Sequence, residues 1–273
     1  MNTKTVTGVA LITGASRGIG AVYAERLAQR GYDLVLIARD QRRLDHLASR
    51  IAGATKRKVS VIAADLTQER GIALVEEEIE KNNRINMVVN NAGIATMGAT
   101  LAESDVAKSA AVIQLNIVAL TRIARAAAAA FSRRRFGTLV NISSALAVNL
   151  RPTTAVYSGS KAYVLQFSRV LQQELEDKGV KVQVVLPGAV DTDIWATNGV
   201  DVATLPKGVV MSAGELVDAA LAGLDQGELV TLPSVPNMAD WDRFEAARLA
   251  LSQNLSRDRA ADRYKRAAEA VVI

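Results

Sequence analysis

The chain has 273 residues, 49% of them hydrophobic, enough for one large α/β domain or two small ones around a sizeable core. Its net charge of +5, from 33 basic and 28 acidic side chains, comes mostly from arginines scattered along the chain, which argues against a nucleic-acid partner. The absence of cysteine excludes disulfides and thiolate chemistry and suits a reducing cytoplasm; the single histidine, His46, lies off the Leu44/Leu47/Ile51 stripe of its helix, which argues against a Ser-His-Asp hydrolase or a histidine-rich metal site.

From the N-terminus, "MNTKTVTG" leads into a short apolar run, and no stretch approaches the ~18 apolar residues of a membrane span. The chain therefore reads as soluble, untargeted and cytoplasmic. Short β-branched runs at 9–13, 33–38, 59–64, 87–90, 137–143, 182–186 and 229–232 alternate with helical patterns near 18–30, 41–53, 67–82, 101–132 and 157–178. This alternation marks βαβ units and a parallel sheet. No repeat or low-complexity linker interrupts it, so 1–273 reads as one domain with a core at about 6–232. Residues 189–214 lack periodicity, as a mobile substrate loop would. Beyond the last strand, 236–273 reads as a helical extension of two helices broken near Asn254 or Ser256.

The first strand runs straight into "TGASRGIG", with Gly14, Gly18 and Gly20 at the head of a helix. Glycine there lets backbone N–H groups approach a pyrophosphate, and the helix N-terminus adds its dipole. The second strand ends "LIARD". Ala38 stands where an acid for the ribose of NAD is expected, and Arg39 follows it. Arg39 and Arg17 offer two guanidiniums to a 2′-phosphate, so NADP is favoured over NAD. Asp40 is best explained as the cap of the helix that begins at Gln41.

These pieces occur in the order found in the short-chain dehydrogenase/reductase family, which the sequence resembles over roughly 6–232. The motifs are "TGASRGIG" at 13–20, "DL" at 65–66, "NNAG" at 90–93, Asn116, "ISS" at 142–144, "YSGSK" at 157–161 and "PGAVDT" at 187–192. The resemblance implies a doubly wound, Rossmann-type, seven-stranded parallel α/β sheet with helices on both faces. It implies a catalytic tetrad of Asn116, Ser144, Tyr157 and Lys161. It also implies cofactor contacts at Gly14, Ser16, Arg17, Gly18, Ile19, Arg39, Asp65, Leu66, Asn91, Ala92, Gly93, Tyr157, Lys161, Pro187, Gly188, Val190 and Thr192, and no metal. Ser144 is chosen over Ser143 because it lies thirteen residues before Tyr157. Asn116 and Asp65 also admit a plainer reading as local caps.

The implied chemistry is hydride transfer to a carbonyl, with Ser144 donating a hydrogen bond to the developing oxyanion and Tyr157 supplying the proton. Tyr157 and Lys161, at i and i+4, share a helix face. An ammonium ~4 Å from the phenol, at an effective dielectric near 20, favours tyrosinate by about 4 kcal/mol, or roughly three pKa units. Lys161 is also expected to hold the nicotinamide ribose, and Asn116 to anchor a water leading to solvent. Walls at 94–97 and 145–152, with Ile194, Trp195 and Met211, predict a mainly hydrophobic ketone, aldehyde or alcohol as substrate.

Family members commonly form homodimers or homotetramers through the long helices matched at 101–132 and 157–178. The extension is expected to cover the active site or to block the face formed by the last strand. The rival readings are a non-catalytic dinucleotide sensor or scaffold on the same fold, and a nucleic-acid or membrane-surface binder using the basic helices near 243–266. The presence of all four tetrad residues argues against the first.

Overall fold

A computed structural model describes residues 8–264. Its strands are β1 (Val9–Thr13), β2 (Asp33–Ala38), β3 (Val59–Ala63), β4 (Ile85–Asn90), β5 (Gly137–Ile142), β6 (Val180–Val185), β7 (Ala189–Val190), β8 (Val210–Met211) and β9 (Val230–Thr231). Its helices are α1 (Gly18–Gln29), α2 (Gln41–Thr55), α3 (Glu69–Lys81), α4 (Val106–Ile113), α5 (Leu120–Arg134), α6 (Ala155–Leu175), α7 (Ile194–Thr197), α8 (Ala213–Gln226) and α9 (Ala239–Ser252).

Seven strands form one sheet in the order β3-β2-β1-β4-β5-β6-β9, with every neighbouring pair parallel. β1 and β2 are buried at every position, because helices cover both faces of the sheet and each face demands apolar side chains. β3, at the edge, is only partly buried. One core joins the sheet to α1, α2 and α8 through Tyr23, Leu27, Leu44, Leu216 and Leu221. The other joins it to α3, α5 and α6 through Ile72, Ile79, Ile123, Phe131 and Leu175. Each such side chain contributes about 1.5–3 kcal/mol by leaving water. The chain starts at mid-sheet, runs outward to β3 and returns beside β1 as β4. The strand order therefore reverses between β1 and β4, and a crevice opens beyond their carboxyl ends.

Several features differ from the sequence reading. α8 is absent from that reading, although Ser212 and Glu215 form a capping box at its start and Gly227 closes it with φ +84°. The long helix predicted from 101 begins at Val106, where the Asp105 carboxylate accepts the N–H groups of Ala107 and Lys108. It widens to a π-helical segment over Gln114–Ala119 before continuing as α5. The segment 189–214 is closed at its neck, where β7 pairs with β8. By length and composition alone, the continuous helix over Val106–Arg134 would suffice to cross a membrane, which corrects the expectation that no stretch does.

The chain divides after Ser234 into a large unit and a small one beginning at Val235, where the sequence reading sees one domain with an extension. The small unit carries α9, in which the Trp241 and Phe244 rings lie 5.2 Å apart. Of its two predicted helices only α9 is seen; residues 253–261 are non-helical, Asp262–Tyr264 is a single 3₁₀ turn, and the rest of the second lies outside the described residues.

Candidate active site

The glycine-rich turn is shaped by close contacts. Gly14 has φ +65°, and a Cβ there would lie 2.9 Å from the Ala92 Cα. A Cβ on Gly20 would run into the Gly14 carbonyl, so α1 can approach β1 only with glycine at that point. Thr13 Oγ1 accepts the N–H groups of Asn91 and Ala92, each at 3.0 Å, and Asn91 Nδ2 returns a bond to the Thr13 carbonyl at 2.9 Å. These bonds lock the end of β1 to the end of β4 at the reversal of strand order.

A cleft of about 960 Å³ opens there. It is lined by twelve of the predicted cofactor residues: Gly14, Ser16, Arg17, Gly18, Ile19, Arg39, Asp65, Leu66, Asn91, Ala92, Gly93 and Thr192. Arg43, which the sequence reading missed, lines it as well. Asp40 Oδ1 accepts the Arg43 N–H at 3.1 Å, the capping role expected of it. Asp65 accepts from the Thr67 N–H at 2.9 Å and from its hydroxyl at 2.8 Å. Burial pushes the Asp65 carboxyl up, but those bonds and the Arg39 charge outweigh it and leave it below its ordinary value.

Pro187, Gly188, Val190, Tyr157 and Lys161 do not line the cleft, and neither do Ser144 and Asn116. The Pro187 carbonyl accepts the Ala145 N–H at 2.7 Å, and the Val190 carbonyl accepts Trp195 Nε1 at 2.7 Å. Trp195 and Met211 are also absent from the walls, as is 145–152. Leu101, Leu115, Thr153, Ala155 and Val156 line the cleft instead, together with the polar Glu103, Asp105 and Lys108. Ile94, Ala95, Thr96, Met97 and Ile194 line the cleft as expected.

Asn116 and Lys161 lie directly behind Gly93, which lines the cleft; a Cβ there would stand 3.2 Å from Asn116 Oδ1 and 3.5 Å from Lys161 Nζ. All four side chains are buried: Asn116 is 1% exposed, Lys161 5%, Ser144 7% and Tyr157 8%. Ser144 follows β5; its hydroxyl accepts the Leu146 N–H at 3.1 Å and lies near enough to the Tyr157 phenol to lower its pKa. Ser143 is excluded from that role, because its hydroxyl donates to the Lys161 backbone carbonyl at 2.7 Å. Asn116 sits in the π-helical segment rather than at a cap. Its Oδ1 accepts the Ile94 N–H at 3.0 Å, and its Nδ2 donates to the Ile94 carbonyl at 2.9 Å and to Ser160 Oγ at 3.0 Å. Both amide hydrogens are thus engaged, and only a lone pair on Oδ1 is left for a water. Ser160 Oγ in turn donates to the Tyr157 backbone carbonyl at 2.7 Å, which ties Asn116 to the helix carrying the phenol.

The electrostatic expectation for Tyr157 is corrected. Burial raises its pKa, and the nearby Ser144 hydroxyl only partly offsets this. Lys161 Nζ lies over the ring, 5.7 Å from its centroid, and donates 2.9 Å to the Ile142 carbonyl. Burial pushes Lys161 itself down to about 8. Burial thus favours the neutral form of each group, and the phenol stays protonated at neutral pH. Tyr163 is separate from this chemistry: its hydroxyl meets Thr121 Oγ1 at 2.9 Å and its ring stacks on Phe167.

Among the described residues no group of three or more His, Asp or Glu side chains could hold a metal ion. The cleft does fit a dinucleotide. Positive φ at Gly14 and Gly18 exposes backbone at a helix N-terminus, and guanidiniums stand beside the end of β2.

Residues 8–202 match the family model described as short chain dehydrogenase. A short-chain dehydrogenase from Sphingobium yanoikuyae, solved in complex with NADPH, is 44% identical, with a TM-score of 0.91 over 94% of this chain and 100% of the other. The bulky-bulky ketone specific alcohol dehydrogenase from Comamonas testosteroni is 41% identical, with a TM-score of 0.87 over 96% and 99% of the two chains. The 17-beta-hydroxysteroid dehydrogenase type 3 of Danio rerio is 34% identical over 223 residues, 80% of this chain and 70% of its own length.

Proposed function

The chain belongs to the short-chain dehydrogenase/reductase family of dinucleotide-dependent oxidoreductases, and from that premise we propose that it is an NADP-dependent enzyme interconverting a bulky, mainly hydrophobic ketone and its secondary alcohol. The observation that carries this reading is the buried Tyr157 phenol with Ser144 beside it and Lys161 Nζ 5.7 Å over its ring.

Gly14, Ser16, Gly18 and Ile19 would hold the pyrophosphate, Arg17 and Arg39 the 2′-phosphate, and Gly93, Thr192 and Lys161 the nicotinamide end. The cofactor supplies hydride. Ser144 donates a hydrogen bond to the carbonyl oxygen as charge develops there, and the adjacent Tyr157 hydroxyl delivers the proton. Burial that keeps the phenol protonated suits this donation. Lys161, charged at neutral pH, then faces the tyrosinate that forms. Asn116 and Ser160 hold the helix of Tyr157 against 93–94.

Substrate preference follows the walls. Ile94, Ala95, Met97, Leu115, Val156 and Ile194 offer apolar surface, and the similarity to enzymes named for bulky ketones and hydroxysteroids points the same way. Exposed Ile113, Val118 and Val170 on the long helices support a homodimer or homotetramer. The lack of cysteine suits the cytoplasm.

A screen of aryl, alicyclic and steroidal ketones against small aldehydes, sugars and keto acids, with NADPH and NADH, tests the reading. NADPH-dependent turnover of the bulky ketones is expected; turnover confined to sugars or keto acids contradicts it.

A further inference from the structure

Asp193 pairs with two guanidiniums of the cofactor cleft, one of which, Arg43, is also paired with Asp40 Oδ2 at 3.3 Å. Asp193 Oδ2 lies 2.8 Å from Arg17 Nη1 and 3.8 Å from Arg43 Nη1. Arg17 belongs to the glycine-rich turn, Arg43 to the first turn of α2, and Asp193 to the segment after β7, next to Thr192. All three line the same cleft as Arg39. Asp193 occupies the N-cap position of α7, where an aspartate ordinarily accepts a hydrogen bond from its own helix, yet its side chain makes no capping bond. The carboxylate is turned to the arginines instead.

We propose that Asp193 is a specificity-determining residue, a resident anion that competes with the cofactor's 2′-phosphate for Arg17 and Arg43. The inference rests on the reading of Arg17 and Arg39 as the 2′-phosphate site. Both partners of the Arg17–Asp193 pair are about half exposed, with side-chain exposures of 46% and 53%, so the pair is weak and water screens it. A phosphate monoester carries more charge and three acceptor oxygens, which forked guanidiniums can take two at a time. The phosphate therefore displaces the carboxylate, and its apparent affinity is lowered by what the pair was worth. A ribose without the 2′-phosphate offers the arginines no comparable anion, so its binding does not feel the competition. The displaced carboxylate belongs to the segment that carries Thr192 and Ile194, so an NADP-type ligand releases that segment from the turn and an NAD-type ligand does not.

The test is calorimetric titration of the whole chain and of Asp193→Asn with 2′,5′-ADP (adenosine 2′,5′-bisphosphate) and with 5′-AMP, fragments that differ only in the 2′-phosphate and need no turnover. The variant is expected to bind 2′,5′-ADP about two- to fivefold more tightly, the worth of an exposed ion pair, and 5′-AMP with unchanged affinity. Unchanged or weaker binding of 2′,5′-ADP, or an equal change for both fragments, overturns the proposal. Equal affinity of the unmodified chain for the two fragments overturns the underlying NADP reading and the proposal with it, so the two failures are told apart.

Discussion

Lys161 Nζ stands over the Tyr157 ring, 5.7 Å from its centre, and points its hydrogen bond at the Ile142 carbonyl. The lysine is thus held by β5 as well as by its own helix, and the cost of burying its charge shows in a pKa pushed down to about 8.

That cost has a definite pH window. The folded value lies below the unfolded value of 10.5, so the penalty is fully present below pH 8 and disappears as pH rises to 10.5. It amounts to about 3 kcal/mol, from which about 1 kcal/mol is subtracted for the lost Ile142 bond when the lysine is replaced. Lys161→Met is therefore expected to raise Tm by about 4–8 °C at pH 7, with the gain gone by about pH 10.5. Thermal unfolding across that range measures it; a gain independent of pH contradicts the assignment.

The two adjacent serines are expected to fail differently. Ser144→Ala removes a donor aimed at the oxyanion and should lower kcat by about 10²–10³ with little change in Tm. Ser143→Ala removes the buried bond its hydroxyl donates to the Lys161 carbonyl and should cost about 1 kcal/mol of stability. Unfolding and steady-state rates on the same preparations separate them, and matching losses for the pair would contradict the geometry.

Cofactor choice is tested by Arg39→Ala. Loss of a charge-assisted bond to the 2′-phosphate should lower kcat/KM for NADPH about tenfold to a hundredfold and leave NADH nearly unchanged. Equal losses with both cofactors would assign Arg39 to packing.

How much of this was legible in the sequence varied with the physics involved. The buried strands announced themselves as continuous apolar runs, and glycines at 14, 18 and 20 marked a turn that only glycine can make. α8 was hidden because "AGELVDAALAGLDQG" follows an aperiodic stretch and is rich in alanine and glycine, although Ser212, Glu215 and Gly227 carried readable boundary signals. No local pattern announces the π-helical segment at Asn116, which also brings the asparagine amide to Ile94 and Ser160. The i, i+4 spacing placed Lys161 on the face of Tyr157, but it could not report the burial of both groups or the Ile142 carbonyl that draws the ammonium aside. Arg43 and Asp193 are 150 residues apart, and only the fold brings them together.

The overlooked helix has its own test. Ser212→Ala removes a hydroxyl that accepts the Glu215 N–H at 3.1 Å and should cost about 1 kcal/mol, or about 2–4 °C in Tm. Fragment affinities for the cleft should stay as they were, since Ser212 does not line it.

The central claim, that Tyr157 delivers the proton to a carbonyl oxygen held by Ser144, is tested most directly by steady-state reduction of a bulky ketone with NADPH by Tyr157→Phe beside the parent. The phenol differs from the phenyl ring by the one hydroxyl in question, so the fold and the Lys161 contact are retained. In the variant, kcat is expected to fall by about 10²–10⁴ while NADPH binding persists. Full activity in the variant would contradict that claim.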